Sequence, residues 1–95
     1  MITLGNNMEL SGFSELDHAS LIVVKKIVGN YARKINDNKG EFQKLSLDLV
    51  SDDPNKLQII GKLDINGNSY GSIAEDINLF FALDKALNQL QQEIK

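Results

Sequence analysis

Apolar residues recur with two different periods along this 95-residue chain. The period-two segments come first. Ile2 and Leu4 flank Thr3, and Met8 and Leu10 resume the phase after Gly5, Asn6 and Asn7. Residues 1–10 therefore read as one strand with an irregular middle. Leu45, Leu47 and Leu49 alternate with Lys44, Ser46 and Asp48, which predicts a second strand with one buried face. Leu57, Ile59, Gly61, Leu63 and Ile65 share one phase and predict a third. Asn66-Gly67 follows, a pair suited to the two positive-φ positions of a tight hairpin, so a fourth strand returns from Asn68 to about Ala74. Between the second and third strands Ser51, Asp52, Asp53, Pro54 and Asn55 are all turn formers and include the only proline.

Two segments carry the helical period instead. Leu21, Val24, Ile27, Val28, Tyr31 and Ile35 fall on one side of a helix, with His18, Lys25, Lys26, Gly29, Arg33 and Asn36 opposite. Ser14 is placed to cap this helix ahead of Glu15 and Asp17, predicting helix one over about 15–35; the polar stretch Asn36 to Gly40 ends it. From Glu75 onward Leu79, Phe80, Leu83, Ala86, Leu87, Leu90 and Ile94 predict helix two, with Phe81, Lys85, Asn88 and Gln92 on its polar side. The order is β-α-β-β-β-α. An α+β two-layer sandwich, a four-stranded sheet with two helices on one face, buries every apolar stripe within one domain spanning residues 1–95. Its core is expected to centre on Val24, Ile27, Tyr31, Leu47, Leu63, Phe80, Leu83 and Leu87.

Charge sharpens this picture. Ten basic and 13 acidic side chains give a net charge of −3. Residues 24–44 hold Lys25, Lys26, Arg33, Lys34, Lys39 and Lys44 against Asp37 and Glu41, a local charge of +4 that leaves the remainder at −7. The longest apolar run, Leu79 to Leu83, is far below the roughly 20 residues a membrane-spanning helix needs. The chain has no cysteine and its amino terminus no signal-like pattern, so a cytoplasmic protein is expected.

Catalytic chemistry is hard to assemble from these residues. His18 is the single histidine and reads as a solvated residue at a helix start. Asp52 and Asp53 read as turn residues. Asp64, Asn66 and Asn68 alternate like calcium ligands, but the glycine and the closing glutamate of a calcium loop are not in place. No serine or threonine has a base partner at a recognisable spacing. A non-enzyme without cofactor or metal is expected.

Three stretches carry a family likeness: Gly5-Asn6-Asn7-Met8-Glu9-Leu10-Ser11, Ile65-Asn66-Gly67, and Asn78-Leu79-Phe80-Phe81-Ala82-Leu83-Asp84 with Lys85-Ala86-Leu87 behind it. With the order of elements, they resemble the first strand, central hairpin and second-helix signature of the ribosome-associated hibernation-promoting factor and protein Y family, in its short form. The resemblance implies a non-catalytic domain that sits in the decoding cleft of the small ribosomal subunit, sets basic helix side chains against ribosomal RNA, and blocks messenger and transfer RNA. The implied partner is that subunit or structured RNA.

On this reading Lys25, Lys26 and Arg33 are the primary phosphate contacts, Lys34 and Lys39 flank them, and Lys85 is the only contribution from helix two. Gly29 would let a backbone approach closely. Aromatic residues for base stacking are not evident beside helix one, so shape and charge would be recognised. Two other readings stand beside this one. The basic face can be an ordinary solvated surface, and the domain can be a protein-interaction module using Phe81 and the open sheet face around Ile60 and Ile73. Phe81 could instead pack beneath a loop or the sheet edge. Salt separates the RNA reading from the protein reading, because phosphate contacts weaken steeply with ionic strength and apolar contacts do not.

Overall fold

The computed structural model describes residues 2–5, 7–53 and 56–94, with the backbone alone at 52 and 53. Its elements are β1 (Ile2–Leu4), β2 (Met8–Ser11), α1 (His18–Lys39), β3 (Phe42–Asp53), β4 (Lys56–Ile65), β5 (Asn68–Asp76) and α2 (Leu79–Glu93). The strands form one sheet in the order β1-β2-β3-β4-β5. β2 runs parallel to β3, with Leu10 beside Leu47, and the other pairs are antiparallel. A parallel neighbour needs a crossover, and α1 supplies it.

The sheet thus has five strands rather than four, and the order is β-β-α-β-β-β-α. The expected first strand is two strands because Gly5, at φ 61, helps turn the chain back and set Ile2 opposite Leu10. Alternation continues in phase through the bend, so periodicity cannot separate one interrupted strand from a hairpin. Asn6 lies outside the described residues. Asn7 ties the bend to the sheet: its side-chain nitrogen donates to the Phe42 carbonyl at 3.3 Å, and its carbonyl accepts from the Leu45 amide at 2.8 Å.

Helix α1 begins three residues later than expected. Asp17, not Ser14, is its cap, accepting from the Ser20 amide at 3.1 Å. The Ser20 hydroxyl, and then that amide, hold the Asp17 carboxyl below the ordinary carboxylate range. Residues 13–16 are needed for something else: Phe13 is wholly buried, and the Leu16 amide closes a turn onto its carbonyl at 3.1 Å. The helix also continues through Asn36 to Lys39 before Gly40, at φ 103, stops it. Helix α2 starts at Leu79 rather than Glu75. Glu75 and Asp76 instead complete β5 opposite Gln58 and Leu57, and Asn78 caps the helix by accepting from the Phe80 and Phe81 amides at 2.9 and 3.1 Å. Ser51 to Asp53 extend β3, where the register shifts between Val50 and Asp53; Pro54 and Asn55 of the expected turn lie outside the described residues. Asn66 and Gly67 take positive φ of 55 and 77 as the hairpin requires.

One core joins both layers. Leu10, Leu45, Leu47, Ile59, Leu63 and Ile65 from the sheet meet Val24, Val28 and Ile35 of α1 and Leu83, Leu87 and Leu90 of α2. Of the expected centre, Ile27, Tyr31 and Phe80 are only partly buried. They lie at the seam between the two helices, so one side of each meets solvent.

Candidate nucleic-acid interface

Helix α1 packs Val24, Val28, Ala32 and Ile35 inward, and its cations are exposed by the same periodicity. Lys25, Lys26, Arg33, Lys34 and Lys39 are all exposed, and none lies within 4.0 Å of a carboxylate among the described residues. Elsewhere the pattern differs. Lys44 pairs with Glu9 and Lys56 with Glu75, each at 3.3 Å, and Lys85 pairs with Asp76 at 2.8 Å; Lys62 on the sheet is the exception, with no ion pair among the described residues. Lys26 and Arg33 lie two turns apart on one ridge, and the space above Gly29 between them is open, with nothing within 4 Å of where a Cβ would stand. Ile22 and Val23 interrupt this front as exposed apolar residues.

Lys85 is placed differently from the other five. Asp76 accepts from Lys85 with one oxygen and from the Asn78 amide at 3.0 Å with the other. The lysine and that amide together hold the Asp76 carboxyl below its ordinary range. The charge of Lys85 is therefore balanced locally at the start of α2.

Tyr31 joins the helices. Its hydroxyl lies 2.6 Å from Asp84 Oδ1 and 2.8 Å from Asn88 Oδ1, and the one proton is best spent on the carboxylate, where the bond is charge-assisted. Partial burial, then the Asp84 charge, pushes the phenol up to about 12. Lys34 sits over the ring, its Nζ 5.2 Å from the centroid. Beside this cluster runs a groove of about 410 Å³ lined by Ile27, Asn30, Tyr31, Lys34, Phe80, Phe81 and Asp84. Phe81 is 63% exposed, so it packs under neither a loop nor the sheet edge. The expectation that no aromatic stands beside helix one is corrected here. Tyr31 lies on that helix and Phe81 is carried to it by α2, a proximity that no spacing within either helix reveals.

The open sheet face has another character. Ile60 and Ile73 are register partners there, and Ile73 is 58% exposed. A concavity of about 660 Å³ nearby is lined by Glu9, Lys44, Asp48, Lys62 and Asp64 with several hydroxyl side chains. Its charges alternate in sign, which gives no single-sign field for a polyanion. Asp64 accepts from the Ser69 hydroxyl at 2.7 Å. His18 is exposed on the first turn of α1, and no group of three or more histidine or carboxylate side chains is placed to hold a metal among the described residues. The side chains of Asp52 and Asp53 lie outside the described residues.

Two helices on one face of a mixed sheet in this order define an α+β two-layer domain. Within that class, the chain is similar in structure to a ribosomal subunit interface protein from Coxiella burnetii (TM-score 0.67, 13% identity, covering 93% of this chain and 90% of that one). It is also similar to the N-terminal domain of Protein Y from Thermus thermophilus (TM-score 0.64, 21% identity, covering 93% and 92%). At these identities the likeness is one of fold. No family model matches the sequence, and no curated protein matches it. No helix among the described residues is long and apolar enough to cross a membrane.

Proposed function

We propose that this domain binds structured RNA of the small ribosomal subunit through the exposed face of α1, and that it inhibits translation by occupying the decoding cleft, in the cytoplasm and without catalysis. The observation that carries the reading is the row of five cations on α1, none with a carboxylate within 4.0 Å among the described residues, in a chain whose net charge is −3. Lys25, Lys26 and Arg33 are the primary phosphate contacts and Lys34 and Lys39 flank them. Lys85, already paired with Asp76, adds little. The acidic remainder is repelled by RNA and turns α1 toward it. The fold shared with a ribosomal subunit interface protein supports the choice of RNA.

Sedimentation with purified small subunits through sucrose tests this directly. Each phosphate neutralised adds roughly −0.7 to −0.9 to the slope of log affinity against log salt, so three to five contacts give a slope of about −2 to −4.5. Replacing Lys25, Lys26 and Arg33 together with glutamate removes cosedimentation and leaves the thermal melt unchanged, because none of the three is buried. If the triple variant still travels with the subunit, or wild-type association ignores salt, a protein partner on the open face around Ile73 becomes the better reading.

A further inference from the structure

The exposed aromatic ring and the basic helix, far apart in the sequence, form one surface at the α1–α2 seam. Phe81 projects into solvent from the first turn of α2, and the backbone beneath it is fixed because its amide is held by Asn78 at 3.1 Å. The facing wall is α1, with Ile27 at its base and Asn30 and Lys34 lining it. We propose, resting on the RNA-binding reading above, that this groove takes one unpaired nucleobase stacked on the Phe81 ring, with Lys34 and Lys26 holding the phosphates on either side of it.

The composition of the walls selects this occupant. A planar base can be stacked by the phenyl ring and still offer donors and acceptors at its edge. The Asn30 amide is able to meet that edge, as are the lone pairs Asp84 keeps beyond its bonds from Tyr31 and Asn88, while Ile27 and Phe80 supply apolar floor. An apolar peptide segment would cover those polar groups without pairing them, at a cost in desolvation. Lys34 lines the groove, and Lys26 lies two turns before it on the same exposed helix; a nucleic-acid strand is the ligand that places an apolar plane and a negative charge side by side at each residue. An A-form duplex keeps its bases stacked inside and has nothing to insert. The groove therefore adds discrimination to a surface whose cations alone would bind any RNA of suitable shape.

Two RNA probes matched in length and charge separate the possibilities: a hairpin with 2-aminopurine unpaired in its loop and a blunt, fully paired duplex. The wild-type protein is expected to change the 2-aminopurine emission on binding and to prefer the hairpin. Phe81→Ala is expected to weaken hairpin binding by about fivefold to a hundredfold and to abolish the emission change, while its affinity for the duplex is unchanged. Phe81→Trp keeps both. Because the ring is exposed, both variants are expected to melt like the wild type, which is checked first. If Phe81→Ala binds hairpin and duplex as the wild type does, the base-stacking site is wrong while RNA binding stands, and the ring is left for a protein partner. An equal loss on both probes also overturns it, since the ring would then not be reading a base. If the wild type binds neither probe, RNA binding itself fails.

Discussion

Gly61 stands in the buried phase of β4, where the pattern alone would call for a larger residue. The reason is local: a Cβ there would lie 2.6 Å from Ser72 Oγ, 3.0 Å from Leu90 Cδ1 and 3.3 Å from Leu47 Cδ2. The Ser72 hydroxyl is itself buried with no hydrogen-bond partner. Ser72→Ala is therefore expected to leave stability unchanged or raise it by up to about 1 kcal/mol, since an unsatisfied polar atom is removed. Gly61→Ala should cost about 1–3 kcal/mol by overpacking. Its cost should shrink in the Ser72→Ala background, because the nearest obstructing atom has gone. Denaturant unfolding of the four proteins checks the coupling, and equal costs in both backgrounds would mean Oγ is not the obstruction. Alternation was enough to put Gly61 on the inner face. That it must be glycine, and that Phe13 fills the core from a loop, depend on what α2 and the sheet bring beside them. The Cβ that Gly12 lacks would run into the Leu49 carbonyl, and the residue has φ 81, so Gly12 holds that loop against β3.

Elements with a local signature were legible, and their ends were not. β3, β4, the Asn66-Gly67 hairpin and both apolar helix stripes follow from period and turn chemistry. The helix starts moved because tertiary demand overrode the local pattern: the burial of Phe13 excluded Ser14, and the pairing of Glu75 with Gln58 excluded a helix there. The contact between the helices is equally a tertiary product. Tyr31 has its phenol raised from 10.0 to about 12 by burial and by Asp84, so the folded state favours the protonated form. Its contribution is complete below pH 10 and is lost as the pH rises from 10 to 12. Tyr31→Phe is expected to lower stability at neutral pH by about 0.5–1.5 kcal/mol and to lose less than the wild type over that alkaline interval. Unfolding measured at several pH values decides it; parallel losses in the two proteins would show that the phenol is not coupled to folding.

Across the whole molecule, charge is sorted between the layers: unpaired cations line α1, and the open sheet face mixes both signs. The +4 segment was visible in the chain, but two features of the candidate site were not. Which cations are balanced by a carboxylate depends on packing, and so does the approach of Phe81 to the basic helix. The strand pairing adds a consequence for the order of assembly. β3, β4 and β5 join through short connections, whereas β2 reaches β3 only after the chain has closed over all of α1, at a higher loop entropy. The amino-terminal hairpin should therefore dock late and open first, and hydrogen exchange should show the β2 amides less protected than those of β4. Uniform protection across the sheet would count against this order. Because α1 is the next element after β2, joined to it through the loop anchored by Phe13, a ligand that grips α1 draws on the weakest seam of the fold, and its binding should register as slower exchange in β2, a strand it never touches.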